Sequence, residues 1–270
     1  MIKNNVSNDI SGEIKDDELV EFTSAKKTWC PGCTNFAIMA ATKKALSELI
    51  TDGNIEKKDV VVGSGIGCHA KIADYLDFNS FCTLHGRVLP IVSGMKVANP
   101  ALKILAFSGD GDAYAEGMEH FIHSAKRNIN LTYVVHDNKV FALTTGQSTP
   151  TSLKGYKGKS TPFGNPEEPL NPLLLALSSG ATFIARSYAM EIEKTKELIK
   201  KGMMHQGFSL INIIQPCITF YDNRKEIAEK MYWLDEKYDQ GDFDSAYTKI
   251  RENGNKIPMG IFYQVQKNIF

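Results

Sequence analysis

Apolar residues along this chain fall into short unbroken runs, and between the runs they recur at helical spacing. The runs predict strands over residues 59–63, 81–84, 103–108, 131–136, 181–185 and 208–214. The periodic stretches predict helices over 35–50, 88–98, 113–127 and 190–203, with a further helical pattern at 226–233. Runs without polar alternation belong in a sheet covered on both sides, and strands alternating with helices of this length build a parallel one. The fold class is therefore α/β, a mostly parallel β-sheet flanked by helices on both faces. One segment breaks the rhythm. Residues 141–172 hold five of the ten prolines and no clear period, and a long irregular stretch inside a compact domain is more often functional than idle.

Composition narrows the function classes. The 270 residues are 43% hydrophobic, enough to build a core. Lys plus Arg is 31 and Asp plus Glu is 31, so the basic excess that nucleic acid or an anionic membrane surface attracts is missing. No apolar run approaches the roughly 20 residues of a membrane span. Residues 1–20 read as a polar arm without the apolar stretch of a secretion signal, which points to the cytoplasm. The main domain is expected over 21–234. Residues 235–270 form a tail that packs on the domain or on a partner and ends in the apolar IPMGIFY. Five cysteines in a cytosolic chain of this length suit metal binding or chemistry better than a disulfide framework.

The stretch KILAFSGDGDAYAEGMEHFIHSAKRNINLTYVVHDNKV reads strand, GDG turn, helix, strand, DN turn. A right-handed βαβ crossover makes the two strands parallel and sets their carboxyl ends side by side. Asp110 and Asn138, 28 positions apart, each sit just past such an end. A carboxylate and an amide oxygen meeting there suit Mg²⁺. Gly109 and Gly111 let a diphosphate approach the backbone, and the next helix turns its positive end toward it. The pattern describes a Mg-diphosphate site. A dinucleotide site is the rival, because VVGSGIGCH follows a strand; but Cys68 stands where GxGxxG needs its last glycine, and no acid follows at the required distance.

Cys30 and Cys33 lie in WCPGC, Cys68 ends GIGC, and Cys217 follows the last predicted strand. Structural zinc usually comes as two local pairs, whereas separate loops converging on four thiols suit a [4Fe–4S] cluster. Spacing alone leaves cluster and zinc open. Cys82, mid-strand in SFCTL, reads as a buried small hydrophobe.

Taken together, WCPGC, GIGCHAK, HGRVLPIVSGMKVANP, GDGDAYAEGMEHFIHSAKRN and TTGQSTPTS occur in an order that resembles the β subunit of 2-oxoacid:ferredoxin oxidoreductases. The resemblance runs from residue 29 to about residue 263. It implies the diphosphate-binding half of a thiamine diphosphate fold, with Asp110, Asn138 and the Val140 carbonyl on Mg²⁺. It implies Cys30, Cys33, Cys68 and Cys217 on a [4Fe–4S] cluster. Asp137 stands where many relatives carry a first Asn, a position that is not a ligand. The implied activity is oxidative decarboxylation of a 2-oxoacid such as pyruvate or 2-oxoglutarate to acyl-CoA and CO₂, with electrons leaving through the cluster to ferredoxin. A separate α subunit is implied to supply the other half of the thiamine site, and residues 141–172 and IPMGIFY are the surfaces expected to touch it.

Other residues join these by position. Gly67 and Asp112 flank the expected diphosphate; Leu143, Thr144, Gly146 and Gln147 open the irregular segment and are expected to wrap the cofactor and line the substrate pocket. His85 and Arg87 follow a strand end and either hold the diphosphate, polarise the substrate carbonyl or cap the next helix. Lys71 either meets the substrate carboxylate or is a solvated lysine. No cation marks the 144–147 loop, so a dicarboxylic substrate is not specifically indicated. Two other classes remain open: a non-redox thiamine diphosphate decarboxylase or synthase with structural zinc, and a zinc-stabilised assembly subunit without activity.

Overall fold

The strands are apolar on both sides because both sides are covered. In the third strand, Leu105 and Phe107 belong to one hydrophobic cluster while Ile104 and Ala106 belong to the other. The computed structural model of the chain describes residue 21, residues 23–252 and residues 256–270. The arm read over 1–20 lies outside the described residues.

In chain order the elements are α1 (Asn35–Thr51), β1 (Val60–Ser64), α2 (Ile72–Tyr75), β2 (Asn79–Cys82), α3 (Val88–Ala98), β3 (Lys103–Gly109), α4 (Met118–Lys126) and β4 (Leu131–Asp137). There follow β5 (Val140–Phe141), β6 (Gln147–Ser148), α5 (Pro172–Ser179), β7 (Phe183–Tyr188), α6 (Ile192–Met204), β8 (Phe208–Ile214), α7 (Arg224–Lys230), β9 (Met231–Trp233), α8 (Phe243–Ile250) and β10 (Ile257–Gln264). The main sheet has the order β2-β1-β3-β4-β8-β7-β10-β9. From β2 to β7 every pairing is parallel, and β10 joins β7 antiparallel. Helices α1, α2 and α6 pack on one face, and α3, α4, α5 and α8 on the other.

Several sequence expectations shift. The strand expected over 81–84 is β2, two residues earlier, and Leu84 is 79% exposed in the turn beyond it. The strand expected over 181–185 starts at Phe183 and runs to Tyr188. The helix expected over 113–127 is divided into a wide π-type turn, Asp112–Glu116, and α4. The helical pattern at 226–233 ends at Lys230, because Met231–Trp233 instead pairs parallel with β10. Helix α5 went unread, although Asn171 caps it by accepting from the Leu174 N–H, Pro172 begins it and Gly180 ends it left-handed. Cys82 is exposed on the edge strand, with its sulfur 3.2 Å from Ser64 Oγ, rather than buried. IPMGIFY is the body of β10; Met259, Ile261 and Phe262 are buried within this chain, so their side chains are not a partner surface.

Candidate active site at the carboxyl edge of the sheet

Five parallel strands deliver chemistry to one edge. The 65–68 loop follows β1, His85 follows β2, the GDG turn follows β3, Asn138 follows β4, and Gln215–Cys217 follows β8. This is the place where open α/β sheets hold ligands. A cavity of about 140 Å³ lies there, lined among others by Gly67, His85, Gly109, Asp110, Gly111, Asp112, Asn138, Val140, Leu143 and Thr144. Glycine is required at two of these positions: a Cβ on Gly111 would stand 2.2 Å from the Phe141 ring, and one on Gly109 would stand 2.9 Å from His69 Nδ1.

The structure brings Asp110 and Asn138 together, the Asn138 main-chain N–H donating to Asp110 Oδ1 at 3.3 Å. Asn138 Nδ2 donates to Gln215 Oε1 at 3.1 Å, while Asn138 Oδ1 accepts from the Val140 N–H at 3.1 Å. Between them Lys139 has φ +63°, a left-handed conformation uncommon for a side-chain-bearing residue. Asp110 is 1% exposed; burial, and then the nearby Asp137 carboxylate, push its pKa well above the ordinary value. The Thr151 hydroxyl lies 2.8 Å from Asp110 and 3.0 Å from Asp137. The buried Asp110 carboxylate and the Asn138 amide oxygen, with Val140 two residues on, offer oxygen donors of the kind that suits Mg²⁺, and Asp137 adds a second negative charge beside them.

Asp112 holds the walls of the site. Its carboxylate accepts from the Ile66 N–H at 3.1 Å, the Gly86 N–H at 2.7 Å and Ser108 Oγ at 2.5 Å, and lies 3.5 Å from the Nε2 atoms of His69 and His85. Burial pushes its pKa up, but His69, Ser108 and the Ile66 N–H outweigh burial and leave it below the ordinary carboxylate value. Arg87 is not in the cavity; it donates to the Glu116 carbonyl at the start of α3. Gly146 and Gln147 likewise sit behind the lining, where the Gly146 N–H donates to the Phe141 carbonyl and Thr144 donates to Gln147.

A second cavity of about 290 Å³ adjoins the first, and both are lined by Cys68, Asn138, Ala142 and Leu143. All four expected thiols, Cys30, Cys33, Cys68 and Cys217, line it, with Lys71 beside them donating to the Thr28 carbonyl at 3.1 Å. Burial pushes the Cys68 thiol up to about 11, with Lys71 pulling the other way. Among the described residues no three His, Cys, Asp or Glu side chains are gathered tightly enough to hold one metal ion. The four thiols share one cavity wall, three separate loops contributing them. Sequence reading missed His69, His136, Thr151 and Gln215. The TPTS run, with hydroxyls poised to close a turn, signals Thr151, while the others depend on which strands become neighbours.

Comparison with known proteins gives the family. The family model for the thiamine pyrophosphate enzyme, C-terminal TPP binding domain, matches residues 65–213, more than half of the chain. The family model for the C-terminal part of the pyruvate ferredoxin oxidoreductase beta chain matches residues 217–270. The 2-oxoacid:ferredoxin oxidoreductase subunit beta of Saccharolobus solfataricus is 43% identical over 251 residues, covering 87% of this chain and 81% of that protein. The 2-oxoglutarate synthase subunit KorB of Archaeoglobus fulgidus is 41% identical over 191 residues, covering 71% and 70%. A solved structure of 2-oxoglutarate:ferredoxin oxidoreductase from Magnetococcus marinus, with 2-oxoglutarate, coenzyme A and succinyl-CoA bound, superposes with a TM-score of 0.89 at 34% identity, covering 97% of this chain and 88% of that one. With a thiamine diphosphate domain and relatives of this similarity, the chain belongs to the beta subunits of the 2-oxoacid:ferredoxin oxidoreductases.

Proposed function

We propose that this chain, paired with an α subunit, oxidatively decarboxylates a 2-oxoacid to acyl-CoA and CO₂ and passes the electrons through a [4Fe–4S] cluster to ferredoxin. The observation that carries the reading is the shared wall: the cavity with the Asp110–Asn138 donor set and the cavity with four thiols have Cys68, Asn138, Ala142 and Leu143 in common. Thiamine diphosphate, when bound, supplies a stabilised carbanion centre for loss of CO₂, and the cluster accepts single electrons.

The residues of this chain bind and orient. Asp110, Asn138 and the Val140 carbonyl hold Mg²⁺ on the diphosphate. Gln215 fixes the Asn138 amide so that its oxygen faces the Val140 side. Asp112 holds the Ile66 and Gly86 loops against β3 and keeps His85 at the cavity wall. Lys71, which lines the thiol cavity, meets the substrate carboxylate in this reading. Cys30, Cys33, Cys68 and Cys217 are the cluster ligands. In this reading the segment 141–172, which exposes the apolar side chains Leu143 and Phe163, meets the α subunit. Among the described residues no helix is long and apolar enough to cross a membrane.

The test is anaerobic purification of the chain alone and with its partner. Broad absorption near 400 nm and about four irons per chain are expected in both preparations. Reduction of a dye acceptor dependent on a 2-oxoacid and coenzyme A is expected only with the partner present. A colourless chain with stoichiometric zinc would overturn the cluster, and full turnover by the chain alone would overturn the two-subunit site.

A further inference from the structure

We infer that the cavity at Arg186 is a second binding site, which takes a small organic oxyanion, an apolar body carrying one phosphate or carboxylate, with the Arg186 guanidinium on the charged group. The site lies outside the candidate active site and does not depend on the function proposed for it.

The cavity holds about 410 Å³, more than either cavity of the candidate active site. It meets the same DN turn as the cofactor cavity does. Along that turn the residues alternate: Asn138 and Val140 line the cofactor cavity, whereas Asp137 and Lys139 line this one. Much of the remaining wall is apolar, with Leu153 and Leu170 from the irregular segment, Ile214 at the end of β8 and Ile257 at the start of β10. Apolar walls with a few polar groups suit an organic ligand better than a bare ion.

The charges at the wall do not balance. The three carboxylates there are already engaged. Asp137 accepts from the Thr151 hydroxyl at 3.0 Å and from Asn212 Nδ2 at 3.2 Å, Glu226 meets Lys230 at 2.9 Å, and Glu252 meets Lys249 at 2.6 Å. Arg186 has no such partner. It projects from β7 with its guanidinium 5.5 Å from the centre of the Phe262 ring, and it forms no ion pair among the described residues. Burial brings its pKa down to about 10, against the pull of Asp137. A charge taken out of water without a partner is costly, and a guanidinium presents parallel donors that match the oxygens of a phosphate or carboxylate. An oxyanion at Arg186 supplies the missing countercharge. Two further groups at the wall are open to it. Asn223 Oδ1 is buried with no hydrogen-bond partner among the described residues, an acceptor for a hydroxyl on the ligand body. Lys256 is exposed and forms no ion pair among them.

The experiment is isothermal titration calorimetry of the full-length chain in a buffer free of other oxyanions, with phenyl phosphate, benzoate and inorganic phosphate as probes. One saturable site per chain is expected for at least one of the two organic anions, and the tighter of them identifies the charged group. Inorganic phosphate, which cannot use the apolar walls, should bind more weakly. Arg186→Met keeps the aliphatic stem and removes the charge, and it should weaken the organic anion by about tenfold to a hundredfold, the worth of hydrogen bonds to a charged group. The inference is overturned by absence of saturable binding for both organic anions, by inorganic phosphate binding at least as tightly as either, or by parental affinity in Arg186→Met. If Arg186→Met does not fold, Lys256→Gln is read in its place: loss of this exposed charge should weaken binding by about threefold, and parental affinity there also overturns the inference.

Discussion

Replacing Asp112 with alanine should loosen three loops at once. The carboxylate accepts the buried Gly86 N–H, the part-buried Ile66 N–H and the Ser108 hydroxyl. A buried donor left without a partner costs about 1–3 kcal/mol, so the Gly86 N–H sets the scale and the Ile66 N–H, which water can reach, adds less. For a domain of this size each 1 kcal/mol lowers Tm by about 2–4 °C, which for a loss of about 2 kcal/mol predicts a fall of roughly 4–8 °C. Asp112→Asn keeps the shape and one acceptor oxygen, and should lose less than half as much. The sign with pH follows from the depressed pKa of Asp112. A carboxylate whose folded pKa lies below its unfolded value of about 3.9 stabilises above that value and loses its contribution as pH falls through the folded pKa. The stability difference between parent and Asp112→Asn should therefore be full at neutral pH and shrink below about pH 4. Differential scanning calorimetry at several pH values reads both effects. An Asp112→Ala protein that melts with the parent at pH 7 would refute the loop-tying argument.

Other perturbations separate the two cavities. Asp110→Ala should abolish thiamine diphosphate retention, measured by release and fluorescence of the cofactor, while iron content stays at the parental level; normal retention would remove Asp110 from the metal site. Cys217→Ser should lower iron content or alter the cluster spectrum, whereas the same change at Cys82, exposed on β2, should do neither. Gly86→Ala forces a side chain onto a backbone with φ +70° and sets its Cβ 2.4 Å from the Glu116 carbonyl carbon. It should cost at least about 1–3 kcal/mol in chemical denaturation and weaken cofactor binding, and parental values for both would refute the close-approach reading.

The alternation of apolar runs and helical periods sufficed for the parallel α/β sheet, because strands buried on both faces must be continuously apolar and cannot be mistaken for half-exposed ones. GDG and the following DN turn were legible because a βαβ crossover has one hand and one usable edge, so sequence order alone set Asp110 beside Asn138. The four thiols were legible as ligand types, but spacing left cluster and zinc open. Only the fold shows them lining one cavity of about 290 Å³, because the distance between Cys68 and Cys217 depends on β8 lying next to β4. The tail misled because IPMGIFY is equally apolar on a partner surface and inside a sheet; pairing of β10 with β7 decided it. Arg87 was drawn in by its place after a strand and left out by its rotamer, which reaches the Glu116 carbonyl. Gln215 carries no local signature at all. Its role arises from a hydrogen bond to Asn138 across 77 positions of sequence, a juxtaposition that only the order of strands in the finished sheet creates.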